Sequence, residues 1–143
     1  MMGAKYYEAA GGVVIRDGLM LVLDRPQRGE LRLPKGHIEA GEQARETALR
    51  ETTEESGYSG LEILADLGSQ TIEFDFKGNH IRRLEHYYLM RLLNDEIAER
   101  SANDEEQFVP LWLPCEDAVQ QLTFNAERAV ARRALEIYRE FEG

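Results

Sequence analysis

The stretch that most constrains the fold is GHIEAGEQARETALRETTEESGY, residues 36–58. It contains six glutamates and two arginines, but no lysine or aspartate. The pattern predicts a helix from Gln43 to Ser56, ended by Gly57, because glycine readily adopts the left-handed conformation of a C-terminal cap. Like charges three or four residues apart destabilise a helix. We therefore expect a positive charge from outside this segment to compensate the carboxylates.

The carboxylates of this helix fall on one face. Successive helical residues turn by about 100°, so Glu51, Glu54 and Glu55 share a narrow stripe, which small residues between 44 and 48 extend toward the N-terminus. The three glutamates lie near the negative end of the helix dipole, where carboxylates are unfavourable unless cations balance them. Taken alone, such a triplet is more often a solvated surface.

Magnesium is the cation that best suits this face, with manganese as an alternative. Both ions take oxygen ligands, and magnesium commonly combines a few carboxylates with water and substrate phosphates. The three histidines, His37, His80 and His86, are scattered along the chain and lack the spacing of a zinc site. A metal would also reconcile an acidic protein with an acidic substrate.

Length and composition predict one domain, residues 1–143, with a sizeable core. No apolar run is long enough to span a membrane, and the first residues lack the apolar core of a signal peptide. The single cysteine, Cys115, cannot form an internal disulfide, which suits a reducing compartment. We therefore expect a cytoplasmic protein with no membrane partner. The sequence does not indicate an oligomeric state.

The formal net charge of −10 argues against general binding to nucleic acid. Basic residues nevertheless cluster on both sides of the acidic segment, although each alone is more often a solvated surface residue. These local reversals of charge favour a small, polyanionic ligand. The clusters are Arg25, Arg28, Arg32 and Lys35 before the segment, and Lys77, Arg82 and Arg83 after it.

Strands and helices alternate along the chain. Asp17-Gly18 is a strong hairpin turn between two predicted strands. The order of elements predicts an α/β fold in which a mixed sheet is covered by helices on both sides. The predicted strands are 6–16, 19–24, 70–77, 81–93 and 108–113. The predicted helices are 43–56, 114–122 and a last one through 126–141, and the predicted loops are 25–41 and 94–107.

The charged and glycine positions of residues 36–58 resemble the signature of the Nudix hydrolases. That signature has a glycine, five residues, a glutamate, seven residues, then Arg-Glu, Glu-Glu and a glycine at fixed spacing. Thr52 and Tyr58 replace aliphatic residues of the family pattern, which affects packing rather than chemistry. The resemblance implies the family's α/β/α sandwich over most of the chain. The matching residues are Gly36, Glu42, Arg50, Glu51, Glu54, Glu55 and Gly57.

The resemblance also implies a role for each of these residues. Glu51, Glu54 and Glu55, with the carbonyl of Gly36, would bind the divalent metal, and Glu51 could instead act as the base. Arg50 would orient the glutamates, with Glu42 as its structural partner and Gly57 in a structural role. The implied reaction is attack of water on a phosphorus of a nucleoside diphosphate linked to another group.

In several members of this family, a catalytic base comes from a loop far from the signature. The acidic loop before Phe108 contains Asp104, Glu105 and Glu106, any of which could be this base. Of the three, we include Glu105 among the predicted catalytic residues. An equally good interpretation is that this loop is only a solvated acidic segment.

The substrate prediction depends on LPKGH, residues 33–37, which resembles a stretch of dinucleoside polyphosphate and diphosphoinositol polyphosphate hydrolases. A lysine here suits phosphate oxygens. Those relatives often carry Trp where this chain has Leu31, and Tyr in the window of Phe74 and Phe76. We predict these two phenylalanines to be core residues on an alternating strand. The predicted substrate contacts are Lys35, His37, Arg28, Arg82 and Tyr87.

Other aromatic residues are candidate contacts for a nucleobase, each with strand packing as the alternative. These candidates are Tyr6, Tyr7, His80, His86 and Tyr88, in addition to Tyr87.

The leading function is a magnesium-dependent pyrophosphohydrolase of dinucleoside polyphosphates. A nucleoside triphosphate pyrophosphatase and a 5′-RNA pyrophosphohydrolase are alternatives. A non-catalytic, nucleotide-sensing domain is less favoured because the signature glutamates are intact.

Overall fold

The computed structural model describes residues 3–142. Within that range, the chain contains no helix with the length and apolarity needed to cross a membrane. The strands are β1 (Gly3–Arg16), β2 (Leu19–Arg25), β3 (Glu30–Arg32), β4 (Lys35–His37), β5 (Leu61–Phe76), β6 (Asn79–Leu92) and β7 (Val109–Pro114). The helices are α1 (Ala44–Ser56), α2 (Ala102–Gln107), α3 (Cys115–Gln121) and α4 (Asn125–Glu142).

All seven strands belong to one mixed sheet. Strand β1 is its centre: it runs parallel to β6 and antiparallel to β2 and β4. Strand β5 extends the sheet beyond β6, while β3 and β7 both pair with β2. The predicted mixed sheet is confirmed.

Strand β1 is buried on both of its faces because helices cover both sides of the sheet. Ala10 and Val14 pack with Ala48 of α1 on one face. Val13 packs with Val130 of α4 and with α3 on the other face. Successive strand residues point to opposite sides, so a nearly continuous apolar strand is what a sheet between two helical layers requires. The predicted α/β/α arrangement is confirmed.

Three segments differ from the predictions. The predicted loop 25–41 contains β3 and β4, which form by pairing with β2 and β1. The predicted loop 94–107 contains α2, which begins where the Ser101 hydroxyl accepts a hydrogen bond from the Asp104 N–H at 3.1 Å. Strand β5 begins at Leu61 rather than at residue 70, because two shifts in its register with β6 break the period-two pattern in its first half.

Candidate active site

Helix α1 presents its carboxylates toward β4 because its opposite side is anchored in the sheet. Thr47, Ala48 and Thr52 are buried. The helix begins after Gln43, whose N–H donates to the Glu46 carboxylate at 3.0 Å, and ends at Gly57 with φ +89°. A left-handed glycine cap ends a helix without steric cost, and the predicted end of this helix is confirmed.

Gly36 makes room for the carboxylate of Glu51. A Cβ atom at position 36 would lie 2.1 Å from Glu51 Cδ and 2.3 Å from one of its oxygens. No side chain tolerates such distances, so only glycine allows β4 and the Glu51 side chain to come this close. The backbone at Gly36 and the Glu51 carboxylate are therefore immediate neighbours.

Arg50 connects the carboxylates of this segment. Its guanidinium donates two parallel hydrogen bonds to Glu42, at 2.7 and 2.9 Å, a bidentate geometry that fixes both partners. It also donates to Glu51 at 2.8 Å and to Glu54 at 3.2 Å. The bonds from Arg50 lower the pKa of Glu42 to about 2. A further bond to the carbonyl of His37, at 3.2 Å, ties the helix to β4.

Glu55 is held from the opposite side, where it accepts a hydrogen bond from the Lys35 N–H at 2.9 Å. Burial raises the pKa of Glu55 to about 8 and also raises the pKa of Glu51, although the bond from Arg50 opposes the second shift. Two partly desolvated carboxylates on one helix face favour binding of a cation.

The donor set fits a hard divalent cation. The Glu51 and Glu55 carboxylates and the backbone at Gly36 offer oxygen atoms, and Glu54, 48% exposed, stands at the solvent edge. Within residues 3–142, no three His, Cys, Asp or Glu side chains converge enough to enclose an ion. Magnesium usually keeps several waters and binds one or two carboxylates plus substrate phosphates, so an open site of this kind suits it. The metal itself stays a prediction.

A cavity of about 310 Å³, here called the cationic groove, adjoins Glu55. Its charged lining is mostly basic: Arg25, Arg32, Lys35 and Arg83 face it together with Tyr7, His37 and Asp104. Lys35 is 9% exposed, and burial lowers its pKa. A buried ammonium group gains free energy when an anion binds beside it, so the groove suits a phosphate chain.

Helix α2 brings one of the three predicted loop carboxylates to the groove. Asp104 is half-buried and lines the groove, whereas Glu105 and Glu106 are exposed and do not. Arg100 anchors this helix, donating to the carbonyls of Glu55 at 3.1 Å and Phe108 at 2.9 Å. The position of Glu105 thus does not support its predicted place in the site, because the short helix leaves residues 105 and 106 exposed and only Asp104 beside the groove.

A second cavity of about 450 Å³, here called the aromatic cavity, continues from the groove. Arg32 and Arg83 line both cavities. The Arg83 guanidinium lies 5.0 Å from the ring centre of Phe74, and that of Arg32 lies 5.7 Å from Phe124. The cavity is also lined by Phe76, Ile72 and the predicted substrate contact Arg28.

The prediction that Phe74 and Phe76 are core residues is wrong. Phe76 is 48% exposed, and both rings face the aromatic cavity. Their alternation reflects a strand with one apolar side, and at this end of β5 that side lines the cavity. Phe124, just before α4, completes this wall although it belongs to no periodic pattern.

Two predicted substrate contacts are misplaced. Tyr87 is fully buried in the core, so it cannot contact a substrate. Arg82 is exposed and lies 3.7 Å from Glu73, whereas its neighbour Arg83 faces the groove. Adjacent strand residues point to opposite faces, and the sequence pattern alone does not reveal which face of β6 borders the groove.

The remaining aromatic candidates divide between packing and solvent. Tyr88 is buried, and its ring stacks on His86, which hydrogen-bonds Asp66 at 2.6 Å. His80 bonds Asp75 and Glu73 at 2.9 and 3.1 Å. None of these lines the groove or the aromatic cavity. Only Tyr7 of this group borders the groove, with its hydroxyl accepting a hydrogen bond from Arg83 at 3.0 Å.

Comparison with known proteins identifies relatives of this chain. The "Putative mutator protein MutT4" of Mycobacterium tuberculosis (strain CDC 1551 / Oshkosh) is 37% identical over 139 residues, covering 90% of this chain and 54% of that protein. The asymmetrical bis(5′-nucleosyl)-tetraphosphatase of Rattus norvegicus is 28% identical over 96 residues, covering 67% of this chain and 63% of the other. The chain thus spans between half and two thirds of the length of these relatives.

A solved structure shows the same fold. The C. elegans Ap4A hydrolase, in a binary complex, superposes with a TM-score of 0.72 at 24% identity, covering 94% of this chain and 98% of the other. The model of the NUDIX domain matches residues 5–135, which include helix α1, the cationic groove and the aromatic cavity. The chain is therefore a member of the Nudix hydrolase family.

Proposed function

We propose that this protein is a magnesium-dependent pyrophosphohydrolase that cleaves a dinucleoside polyphosphate such as diadenosine tetraphosphate. The proposal rests on one observation above all. A groove lined by four cations leads from the carboxylates of α1 into an aromatic cavity, with Arg32 and Arg83 lining both. A substrate that fits this sequence of surfaces carries several phosphates and ends in an aromatic base. The kinship with a bis(5′-nucleosyl)-tetraphosphatase supports the same substrate class.

The aromatic cavity suits a nucleobase. Phe74 and Phe124 offer ring surfaces, and arginines stand beside both rings. Stacking of a base on an aromatic side chain contributes about 1–3 kcal/mol and tolerates any base. Arg28, Arg32 and Arg83 line this cavity together with four glutamates, so its charges nearly balance, as suits a neutral base; the glutamates are Glu30, Glu73, Glu85 and Glu127.

The groove suits the phosphate chain. Lys35 and Arg83 are largely withdrawn from water, which strengthens their interaction with phosphate oxygens, while Glu85 pairs with Arg83 at 2.7 Å and holds its guanidinium in place. Tyr7 and His37 close the far side of the groove, with ring centres 4.0 Å apart.

The carboxylate cluster would bind the metal, with Glu51 and Glu55 as main ligands, the Gly36 carbonyl beside them and Glu54 at the edge. A bound divalent cation would supply charge neutralisation and polarise a phosphate oxygen. Arg50 keeps the Glu51 carboxylate in place through its bond at 2.8 Å. Asp104 and Glu51 are the two carboxylates that we propose as acceptors of the proton from the attacking water.

The proposal is tested by incubating the protein with magnesium and a panel of substrates and identifying the products by mass. The panel contains diadenosine tetraphosphate, a deoxynucleoside triphosphate, ADP-ribose and a 5′-triphosphorylated RNA. We expect the highest kcat/KM for diadenosine tetraphosphate. Faster cleavage of any other panel member would overturn the substrate, and tight binding without cleavage of any would make the domain a nucleotide sensor.

Variants separate catalysis from bulk charge. Glu51→Gln removes one negative charge from the cluster and should lower kcat by at least two orders of magnitude, as expected for a group that acts in the transition state. Glu140→Gln removes the same charge from an exposed position on α4 and should leave kcat unchanged. Equal activity of the two variants would refute the assignment of the catalytic centre.

A further inference from the structure

The position of Lys35, the buried cation of the cationic groove, depends on the backbone that carries it. Within the part of the chain that the structure describes, no Asp or Glu oxygen lies within 4.0 Å of its ammonium group, so no ion pair holds that group in place. One edge of the backbone is held by β1, where Gly11 pairs with Lys35 and the Gly12 N–H donates to the Pro34 carbonyl at 3.1 Å.

The junction between α3 and α4 holds the segment before Lys35 from a second side. The Leu31 N–H donates to the Thr123 hydroxyl at 2.8 Å, and the Thr123 N–H donates to the Leu31 carbonyl at 2.9 Å. Two residues further on, the Leu33 N–H donates to the Glu127 carboxylate at 2.5 Å. The junction thus satisfies backbone groups that a neighbouring strand would otherwise pair.

Glu127 makes the contact of this junction that lies nearest to Lys35 along the chain. Glu127 and Leu33 are both buried. Since Pro34 has no N–H, the Leu33 N–H is the last backbone donor before Lys35. A buried N–H that loses its acceptor is costly, so without the Glu127 oxygen the backbone at Leu33 should shift toward another partner and carry Lys35 with it.

We propose that Glu127 is a positioning residue for Lys35: its carboxylate fixes the Leu33 backbone and thereby places the Lys35 ammonium group where it meets the phosphate chain. The inference rests on the proposed function only in requiring a ligand with phosphate groups in the groove. Glu127 also lines the aromatic cavity. Direct contact of its carboxylate with a base is therefore the competing role, and the test must separate the two.

Two variants of equal charge isolate the hydrogen bond. Glu127→Gln and Glu127→Met both remove the negative charge and have similar length, but only glutamine keeps an oxygen that accepts from the Leu33 N–H. Hydrogen exchange of the Leu33 amide should be faster in Glu127→Met than in Glu127→Gln. For diadenosine tetraphosphate, kcat/KM of Glu127→Met should be about ten- to 100-fold lower than that of Glu127→Gln, because a misplacement of about 1 Å can cost about 100-fold. Equal kcat/KM of the two variants overturns the proposal.

A double-mutant cycle with Lys35→Met distinguishes positioning of Lys35 from every other role of Glu127. Residues that act on one interaction are not additive. Adding Glu127→Met to Lys35→Met should therefore lower kcat/KM by less than about twofold. Additive losses overturn the proposal, because direct contact with the base or a general loss of structure would persist without Lys35. Rates are referred to the folded fraction, measured by urea unfolding of each variant.

Thr123→Val is the second variant if Glu127→Met fails to fold. It removes the hydroxyl that accepts from Leu31 and keeps the side-chain shape, and its loss of kcat/KM should likewise disappear in the Lys35→Met background. An additive loss overturns the proposal here too.

The outcome for Glu127 is distinct from the outcome for the proposed function. If the wild type cleaves another member of the substrate panel faster, the proposed substrate is refuted, and the cycle is measured with that member. If the wild type binds panel members without cleaving them, the same cycle is measured on Kd by calorimetric titration, with the same criterion of additivity. A protein that binds none of them refutes both proposals.

Discussion

Gly36→Ala should greatly reduce the activity of this protein while leaving its stability nearly unchanged. The added Cβ would lie 2.1 Å from Glu51 Cδ, and 2.3 and 2.5 Å from the two carboxylate oxygens. Ordinary contact begins near 3.4 Å. The carboxylate must therefore retreat by about 1.3 Å if the backbone stays in place. That movement breaks the 2.8 Å bond with Arg50 and shifts a proposed metal ligand.

The expected loss of activity is large and the loss of stability small. A misplacement of about 1 Å in a catalytic site can reduce the rate about 100-fold, so kcat should fall by at least that factor. The obstructing atoms are the far end of a flexible side chain, which can rotate toward the solvent. The free energy of unfolding should therefore change by less than about 1 kcal/mol.

Gly78→Ala provides the opposite pattern as a control. Gly78 has φ +77° in the turn between β5 and β6, and no atom lies within 4 Å of an added Cβ. An alanine held in this left-handed conformation costs about 1–2 kcal/mol of stability, while activity per folded molecule should persist. The measurements are kcat with diadenosine tetraphosphate and urea unfolding of both variants. Full activity of Gly36→Ala would refute the argument, and so would a loss of stability as large as that of Gly78→Ala.

Three further outcomes are expected elsewhere in the molecule. Arg100→Met removes the bonds that hold α2 to the end of α1, so stability should fall by about 2 kcal/mol and hydrogen exchange in α2 should accelerate; unchanged exchange would contradict the anchoring role. The pKa of His80 is raised by its hydrogen bonds to Asp75 and Glu73, so the protonated ring stabilises the fold fully below its unfolded value of 6.5, and this contribution is lost as pH rises through the folded pKa. Thermal unfolding should accordingly show that His80→Gln is less stable than the wild type at pH 5.5 and equally stable at pH 9. The same loss of stability at both pH values would exclude this contribution of the protonated ring. Burial raises the pKa of Cys115 to about 11, so the native thiol should resist iodoacetamide at pH 8 until the protein is unfolded; rapid labelling would show that the site opens.

Elements governed by local chemistry were predicted with good bounds. Helix α1 was predicted from Gln43 to Ser56 and spans Ala44–Ser56, because a capping residue and Gly57 mark its two ends. The hairpin between β1 and β2 turns at Asp17 and Gly18, both with positive φ, as Asp-Gly predicts. Helix α4 spans Asn125–Glu142 with an apolar face against the sheet.

Elements that depend on distant partners were missed. Strands β3 and β4 have three residues each, too few for a periodic pattern, and they exist because β2 and β1 supply hydrogen bonds. Helix α2 is short and acidic, and its packing against α1 through Arg100 distinguishes it from a loop. Neither kind of support can be recognised from neighbouring residues alone.

The sequence by itself determined the composition of the site. The spacing of Glu51, Glu54 and Glu55 puts them on one helix face, because helical geometry is local. The family resemblance was likewise carried by residues 36–58 and extends to a fold that the structure confirms.

The tertiary structure decided which residues from other elements surround the carboxylates of α1 and the groove beside them. It selected Arg83 over Arg82 and Asp104 over Glu105, buried Tyr87, and opened a cavity beside Phe74. Each of these choices depends on which side of a strand or helix borders the groove. That side is set by the packing of elements far apart in the chain, since a strand with apolar residues on both faces carries no local mark of which face a ligand will use.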